Sequence, residues 1–314
     1  MMKMELIGVT KDGQGVRSLL SGFAALLALL AALLVSAMAL APRADAHIYW
    51  TNTTTGNIGR ANLQGTDVNK HFISGAVAPL GIAVDARHVY WADTNRDAIG
   101  RARLNGTRVQ QSLVSLPQPF SPYDVAVNAG HIYWPSPLSG VGHFIGRANI
   151  NGTRAQLRFI STSPTGDAFG VALNARHIYW TTPERDKIDT IGRARLNGKG
   201  VRTGFIRSRN SGPFSVAVQG RHLYWTNQVT NTIARANLNG TDLHLKFIST
   251  GKGSPRGIAV GAGHIYWTNV SNTAPGTIGR ANLDGTGVHR SFIRTGGRAS
   301  DVAVVPGAPH HGRG

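Results

Sequence analysis

From residue 47 onward, apolar positions fall into short runs that recur in one order. The first run is His-[Ile/Val/Leu]-Tyr-Trp, at 47–50, 88–91, 131–134, 177–180, 222–225 and 264–267; its starts lie 41, 43, 46, 45 and 42 residues apart. The second is Ile-Gly-Arg-Ala-Asn-Leu-x-Gly-Thr or a near copy, from Ile58, Ile99, Ile145, Ile191, Ile233 and Ile278. The third is an apolar pair, such as Phe72-Ile73, Leu113-Val114 and Phe292-Ile293. The fourth is a Val-Ala-Val-like run, as in Ile82-Ala83-Val84, Val125-Ala126-Val127 and Val302-Ala303-Val304. Each run is short, rich in β-branched or aromatic residues and bounded by turn formers, which is the pattern of a strand. Asn-Gly follows the second run at Asn105-Gly106, Asn151-Gly152, Asn197-Gly198 and Asn239-Gly240, which predicts a tight hairpin there. No helical period stands out after residue 46.

A fixed period in this range marks a repeat architecture. Four strands per unit and six units predict an all-β, six-bladed β-propeller with four antiparallel strands per blade. The chain enters at His47, on a second strand, and its last Val-Ala-Val run has no tetrapeptide after it. The C-terminal strand is therefore expected to close the ring by pairing with the N-terminal blade, which also removes exposed strand edges.

Tyr-Trp-Thr-Asn (Tyr49–Asn52, Tyr224–Asn227, Tyr266–Asn269), Tyr-Trp-Ala-Asp (Tyr90–Asp93) and Ile-Gly-Arg-Ala-Asn-Leu-Asp-Gly (Ile278–Gly285) resemble the YWTD, or LDL-receptor class B, repeat. The resemblance covers residues 47–305 and implies a six-bladed propeller. Only Asp93 keeps the family's acidic fourth position; Asn52, Ser136, Thr182, Asn227 and Asn269 stand at the others. In the family that Asp is a structural hydrogen-bonding residue. Animal relatives carry disulfide-rich flanking modules, whereas this chain has no cysteine. Endocytic receptor function is thus not carried over, and the chain looks like a stand-alone, bacterial-like exported member.

Residues 1–46 read as a signal peptide or an N-terminal anchor, residues 47–305 as the propeller and residues 306–314 as a disordered tail. Lys3, Lys11 and Arg17 precede an apolar stretch, Leu19 to Ala41, and Ala44-Asp45-Ala46 offers a small-x-small cleavage site. Cleaved export is favoured over an uncleaved anchor, so the expected location is secreted or cell-envelope associated. The absence of cysteine excludes thiol catalysis and cysteine-ligated zinc. The chain carries +18, of which residues 1–46 contribute +1. Such a field attracts anions, but nucleic acid is not expected, because no recognition element is visible. The repeated Arg60, Arg101, Arg147, Arg193, Arg235 and Arg280 read as blade-packing residues.

Candidate chemistry is sparse. His47, His88, His131, His177, His222 and His264 invite a metal reading, but equivalent positions on different blades lie far apart, so each is expected to bond its preceding turn; no metal or other cofactor is expected. The loops after each Trp run seven or ten residues to the next Ile-Gly-Arg and share a face with the linkers between blades. Repeat proteins place variable loops on the binding face. The binding candidates there are Arg96, Asp97, His143, Phe144, Glu184, Arg185, Lys187 and Asn272, with Pro275. Asp124 and Asp301 precede two of the inner runs, where the other units have Gly81, Gly170, Ser215 and Gly257. Carboxylates at a channel mouth bind cations or act as bases; two blades apart, these are expected to form a polar, water-lined channel mouth. The leading functional reading is a monomeric, non-enzymatic binding or scaffold propeller that engages a protein or an anionic polymer of the cell envelope. The alternative is a lactonase- or lyase-like enzyme with its site in the central channel.

Overall fold

The computed structural model describes residues 46–137, 142–163, 166–184, 188–270 and 275–305. Residues 1–45 and 306–314, including most of the expected targeting segment and the whole tail, lie outside them.

Six four-stranded antiparallel sheets make the six blades. Blade 1 combines His47–Asn52, Asn57–Asn62 and Asn69–Ile73 with the C-terminal strand Ala299–Val304 as its innermost member. The others follow in chain order: blade 2 from Pro79 to Ser115, blade 3 from Ala126 to Ser163, blade 4 from Val171 to Arg209, blade 5 from Pro213 to Gln219 and on to Ser249, and blade 6 from Ser254 to Arg294. The C-terminal strand pairs Ile48 with Val304 and Trp50 with Val302, so the ring closes as the sequence predicts.

The repeated tetrapeptide explains the interfaces between blades. Successive strand residues point to opposite faces of a sheet, so Tyr and Trp of one blade face different neighbours. Tyr49 packs in one cluster with Trp91 of blade 2, Tyr90 with Trp134, Tyr133 with Trp180, Tyr179 with Trp225, Tyr224 with Trp267, and Tyr266 with Trp50 around the closure. All six tryptophans are buried. The Gly of Ile-Gly-Arg lies opposite the Trp, as in Trp50↔Gly59 and Trp267↔Gly279. A Cβ at Gly59 would come within 2.1 Å of Trp50 Cε2, so the indole lies directly on the glycine. Blade 5 has Ala234 in this position.

The repeated arginines belong to the same frame. In five blades the guanidinium group sits over the outer-strand Phe of its own blade, as with Arg60 on Phe72 at 4.2 Å and Arg280 on Phe292 at 4.0 Å, whereas blade 2 has Leu113 in place of that Phe. Three of the six arginines donate to the next blade: Arg101 to Ile150 O, Arg193 to Leu238 O and Arg280 to Leu63 O, each at 3.3 Å. Hydroxyls add a second stitch. Thr51, Thr181, Thr226 and Thr268 donate across to Leu80, Phe214, Arg256 and Ser300 carbonyls at 2.6–2.9 Å. Ala92 and Pro135 replace this Thr in blades 2 and 3, and the inner strand of blade 3, opposite Pro135, is reduced to Ala126–Val127.

One local expectation is corrected. The Asn-Gly hairpins are not two-residue turns with positive φ at both positions. Gly106 has φ 81, and the second left-handed residue is Arg108, φ 54. Asn105 Oδ1 instead accepts from the Thr107 amide and hydroxyl, at 3.1 and 2.7 Å. An Asn side chain that caps its own turn favours this longer loop.

Candidate functional site

Near the ring axis the blades converge on one residue each: Asp301, Gly81, Asp124, Gly170, Ser215 and Gly257 in blades 1 to 6. Polar and glycine positions alternate around the ring. The glycines are needed there, since a Cβ at Gly81 would lie 2.4 Å from Asp124 Cα and one at Gly257 would lie 2.0 Å from Asp301 Oδ1. Asp124 and Asp301 come from blades 3 and 1, as the sequence places them. Their side chains nonetheless meet and hydrogen-bond to each other. Asp301 accepts from Ile82 N of blade 2 and Val302 N, both at 2.9 Å. Asp124 accepts from Val125 N at 2.7 Å and Val171 N of blade 4 at 2.8 Å. Burial disfavours the charged forms of both. It lifts the Asp124 carboxyl to about 7, and burial together with the Asp124 charge raises that of Asp301 well above the ordinary carboxylate range. Two carboxyls in contact at neutral pH hold a proton between them.

Asp124, Ser215 and Asp301 of this ring line both of the spaces found along the axis. On the hairpin side the ring borders a channel of about 210 Å³ lined by the Val-Ala-Val strands. On the loop side it meets a cavity of about 10 Å³, room for roughly one water. That cavity is collared by Leu80, Tyr123, Phe169, Phe214 and Ser300. Tyr123 packs on Phe169, and Phe169 on Phe214, each pair with ring centroids 5.4 Å apart. Blade 6 puts Arg256 at the corresponding position, with its guanidinium 4.7 Å from the Phe214 ring.

Beside the collar, on the loop face, lies a cleft of about 510 Å³ lined by Gln228, Lys252, Gly253, Ser254, Arg256, Val270 and Arg298. Three of these are cations and none is an acid. Lys252 and Arg298 are exposed, whereas Arg256 is recessed. Burial, with the Arg298 charge beside it, weakens the hold of Arg256 on its proton, although Asp301 partly offsets this. Its guanidinium has no hydrogen-bond acceptor among the described residues. A recessed cation next to a second cation is costly unless an anion joins them. Sequence reading missed these three residues. The available signal was a break in the repeat: at the position before the axial residue, blade 6 has Arg256 where blades 2 to 5 have Leu80, Tyr123, Phe169 and Phe214.

The loop residues expected to form a binding surface sit on different blades. Arg96 lies 3.6 Å from the Asp93 carboxylate and donates to Gly75 O at 3.1 Å. Asp97 accepts from the Gln118 amide. His143 Nδ1 lies 2.7 Å from Asp167 Oδ1, and Phe144 lies under the Arg158 guanidinium at 5.2 Å. The Glu184 amide donates to Asp189 at 3.0 Å. Pro275 is exposed on blade 6. Arg185, Lys187 and Asn272 lie outside the described residues. Asp93 and Asp189 have related tasks, tying interblade linkers through Val77 N and Ala78 N, and through Ser211 N and Gly212 N.

The six repeated histidines do not converge; each lies 6.0–6.1 Å from the Tyr ring of its own strand. Among the described residues no group of three or more His, Asp or Glu is placed to hold a metal ion. Three of the repeated histidines bond the preceding turn through the backbone, where Asp85, Asn128 and Asn174 accept from the amides of His88, His131 and His177. The His264 ring does bond its turn, at Ala262 O, 3.0 Å.

Residues 221–260 match the family model of the low-density lipoprotein receptor repeat class B. The other five units carry the same landmarks, and in every blade the tetrapeptide Tyr lies opposite the repeated Arg, so all six units follow the pattern of the matched one. No curated protein sequence matches the chain. Solved structures of the same fold include a chain of a nidogen/laminin complex, at 19% identity and TM-score 0.68, covering 84% of this chain and 100% of that one. A virginiamycin B lyase from Staphylococcus aureus aligns at 19% identity and TM-score 0.57, over 77% of this chain and 79% of its own. TolB from Acinetobacter baumannii aligns at 12% identity and TM-score 0.60, over 84% and 67%. At these identities the likeness is one of fold. No helix among the described residues is long and apolar enough to cross a membrane.

Proposed function

We propose that the chain is an exported, non-enzymatic binding module whose loop face engages an anionic polymer of the cell envelope. The observation that carries this reading is the cleft with Lys252, Arg256 and Arg298 and no acid. Cations elsewhere on the ring are either used by the frame, like the six repeated arginines, or solvated, like Arg176 and Arg195 on the hairpin face. Arg256 is neither. The fold is compatible with such a role, since one chain of like fold occurs in a complex with another protein. Export follows from the charged, apolar and small-residue pattern of residues 1–46.

Immobilised polyanions provide the test. The full-length protein is expected to bind them, with affinity that falls as salt rises. An Arg256→Gln/Arg298→Gln variant is expected to lose about tenfold in affinity or more, since charge-assisted contacts are each worth about 1.5–3 kcal/mol. Binding that ignores both salt and these substitutions would overturn the reading. Binding to a protein partner alone, with no polyanion bound, would do the same.

A further inference from the structure

Aromatic residues in this ring fall into two groups. The tetrapeptide tyrosines and tryptophans, the outer-strand phenylalanines, Phe120 and Phe144 fill the interfaces between blades. Tyr123, Phe169 and Phe214 belong to no interface core. They stand at equivalent positions on three successive blades, each partly exposed, and form a continuous arc around the loop-side opening of the axis. Frame packing therefore does not account for them. Partly exposed aromatic rings that touch one another at an opening offer apolar faces to a ligand.

Arg256 joins this arc to the cleft. Its guanidinium covers Phe214 at 4.7 Å, and the same residue lines the cleft with Arg298 and Lys252. The surface thus offers two chemistries side by side: π-faces along blades 3 to 5, and unpaired cations at blade 6 and the linker into blade 1.

We propose that the arc and the cleft together form a site for an acidic glycan. A sugar ring lies against Phe169 and Phe214, and its carboxylate or phosphate is held between Arg256 and Arg298. A pyranose ring presents a face of C–H groups with partial positive charge, which suits the negative face of an aromatic ring. The planar guanidinium fork matches a carboxylate or phosphate. Gln228, Ser254 and the Tyr123 hydroxyl lie along the same surface and can bond sugar hydroxyls. This inference rests on the polyanion reading above and narrows it, because an acidic polypeptide would satisfy the cations but leave the aromatic arc unused.

The experiment compares ligands of like charge with and without rings. Full-length protein is titrated with oligogalacturonate, a hexose-phosphate polymer, poly-γ-glutamate and neutral dextran. At least one acidic glycan is expected to bind about tenfold more tightly than poly-γ-glutamate, and dextran not measurably. Phe169→Leu is expected to lower glycan affinity about fivefold and leave poly-γ-glutamate within about twofold, because an aromatic contact is worth roughly 1 kcal/mol beyond its area. Tyr123→Leu serves as the second variant, and a melting curve for each confirms that the ring is intact. If poly-γ-glutamate matches both acidic glycans, or if neither aromatic variant discriminates between ligands, the glycan assignment falls while the polyanion reading stands. If no polyanion binds, both fall.

Discussion

The two faces of this ring are built by the same strands and yet differ in kind. On the hairpin face the turns repeat one set of bonds: Asn62 and Thr66, Asn149 and Thr153, Asn237 and Thr241, and Asn282 and Thr286 pair their side chains at 2.6–3.1 Å. On the loop face backbone pairs also recur, Thr53 N to Arg298 O, Thr94 N to Ala78 O and Gln228 N to Gly212 O at 2.9–3.2 Å, but the side chains that tie the linkers change from blade to blade, Asp93 in one and Asp189 in another. A repeat holds its frame by reusing one solution from blade to blade; the face that departs from the repeat is free to carry a site. The two faces should therefore respond differently to change, the frame in stability and the loop face in binding.

Removal of residues 299–305 should have the largest effect. It takes away the inner strand of blade 1 and with it the Asp301 bond to blade 2. The truncated chain should lose its cooperative melting transition in circular dichroism; a melt like that of the full chain would show that the ring does not depend on its closure.

Next comes the Trp–Gly contact. A Cβ at Gly279 would meet Trp267 Cε2 at 2.3 Å. Gly279→Val should cost roughly 3 kcal/mol or more, seen as a fall in melting temperature on the order of 10 °C. Gly279→Ala should cost much less, because blade 5 accommodates Ala234 in this position. A Gly279→Val variant that melts like the parent would mean that the indole does not bear on the glycine.

The axial carboxyls set a smaller, pH-dependent effect. The folded-state pKa of Asp124 is raised from 3.8 to about 7, and that of Asp301 is raised as well. The folded chain thus binds protons more tightly than the unfolded chain, so this stabilisation is complete below about pH 4 and is lost as pH rises through 7. Backbone amides and Arg256 face the pair and limit the loss. The melting temperature should fall by roughly 5 °C between pH 5 and pH 8.5, and Asp301→Asn should flatten that slope. A wild-type melting temperature that rises over this interval would remove the shared proton from the account.

The sequence made the frame legible because packing between blades imposes the same requirement six times. Tyr-Trp, the opposed glycine and the stacked arginine recur at one spacing, and so the strands, the blade count and the closure follow from it. The site was harder to find for the same reason. Its residues are departures from the repeat, and a departure such as Arg256 becomes visible only when units are compared position by position near the axis. The meeting of Asp124 and Asp301 was hidden differently: they lie far apart along the chain, and only the closure of the ring, with Gly81 of blade 2 alone between them at the axis, lets their side chains touch. The Asn-Gly turns misled because the Asn side chain bonds its own loop and selects a longer turn than the dipeptide suggests.

The central claim, that the loop face binds and the hairpin face supports, is tested most directly by one binding comparison. Salt-sensitive polyanion affinity is measured for the full chain, for Arg256→Gln/Arg298→Gln on the loop face and for Arg176→Gln/Arg195→Gln on the hairpin face. The account predicts a loss of about tenfold or more for the first pair and less than about twofold for the second. An equal or larger loss in the hairpin-face pair would contradict it.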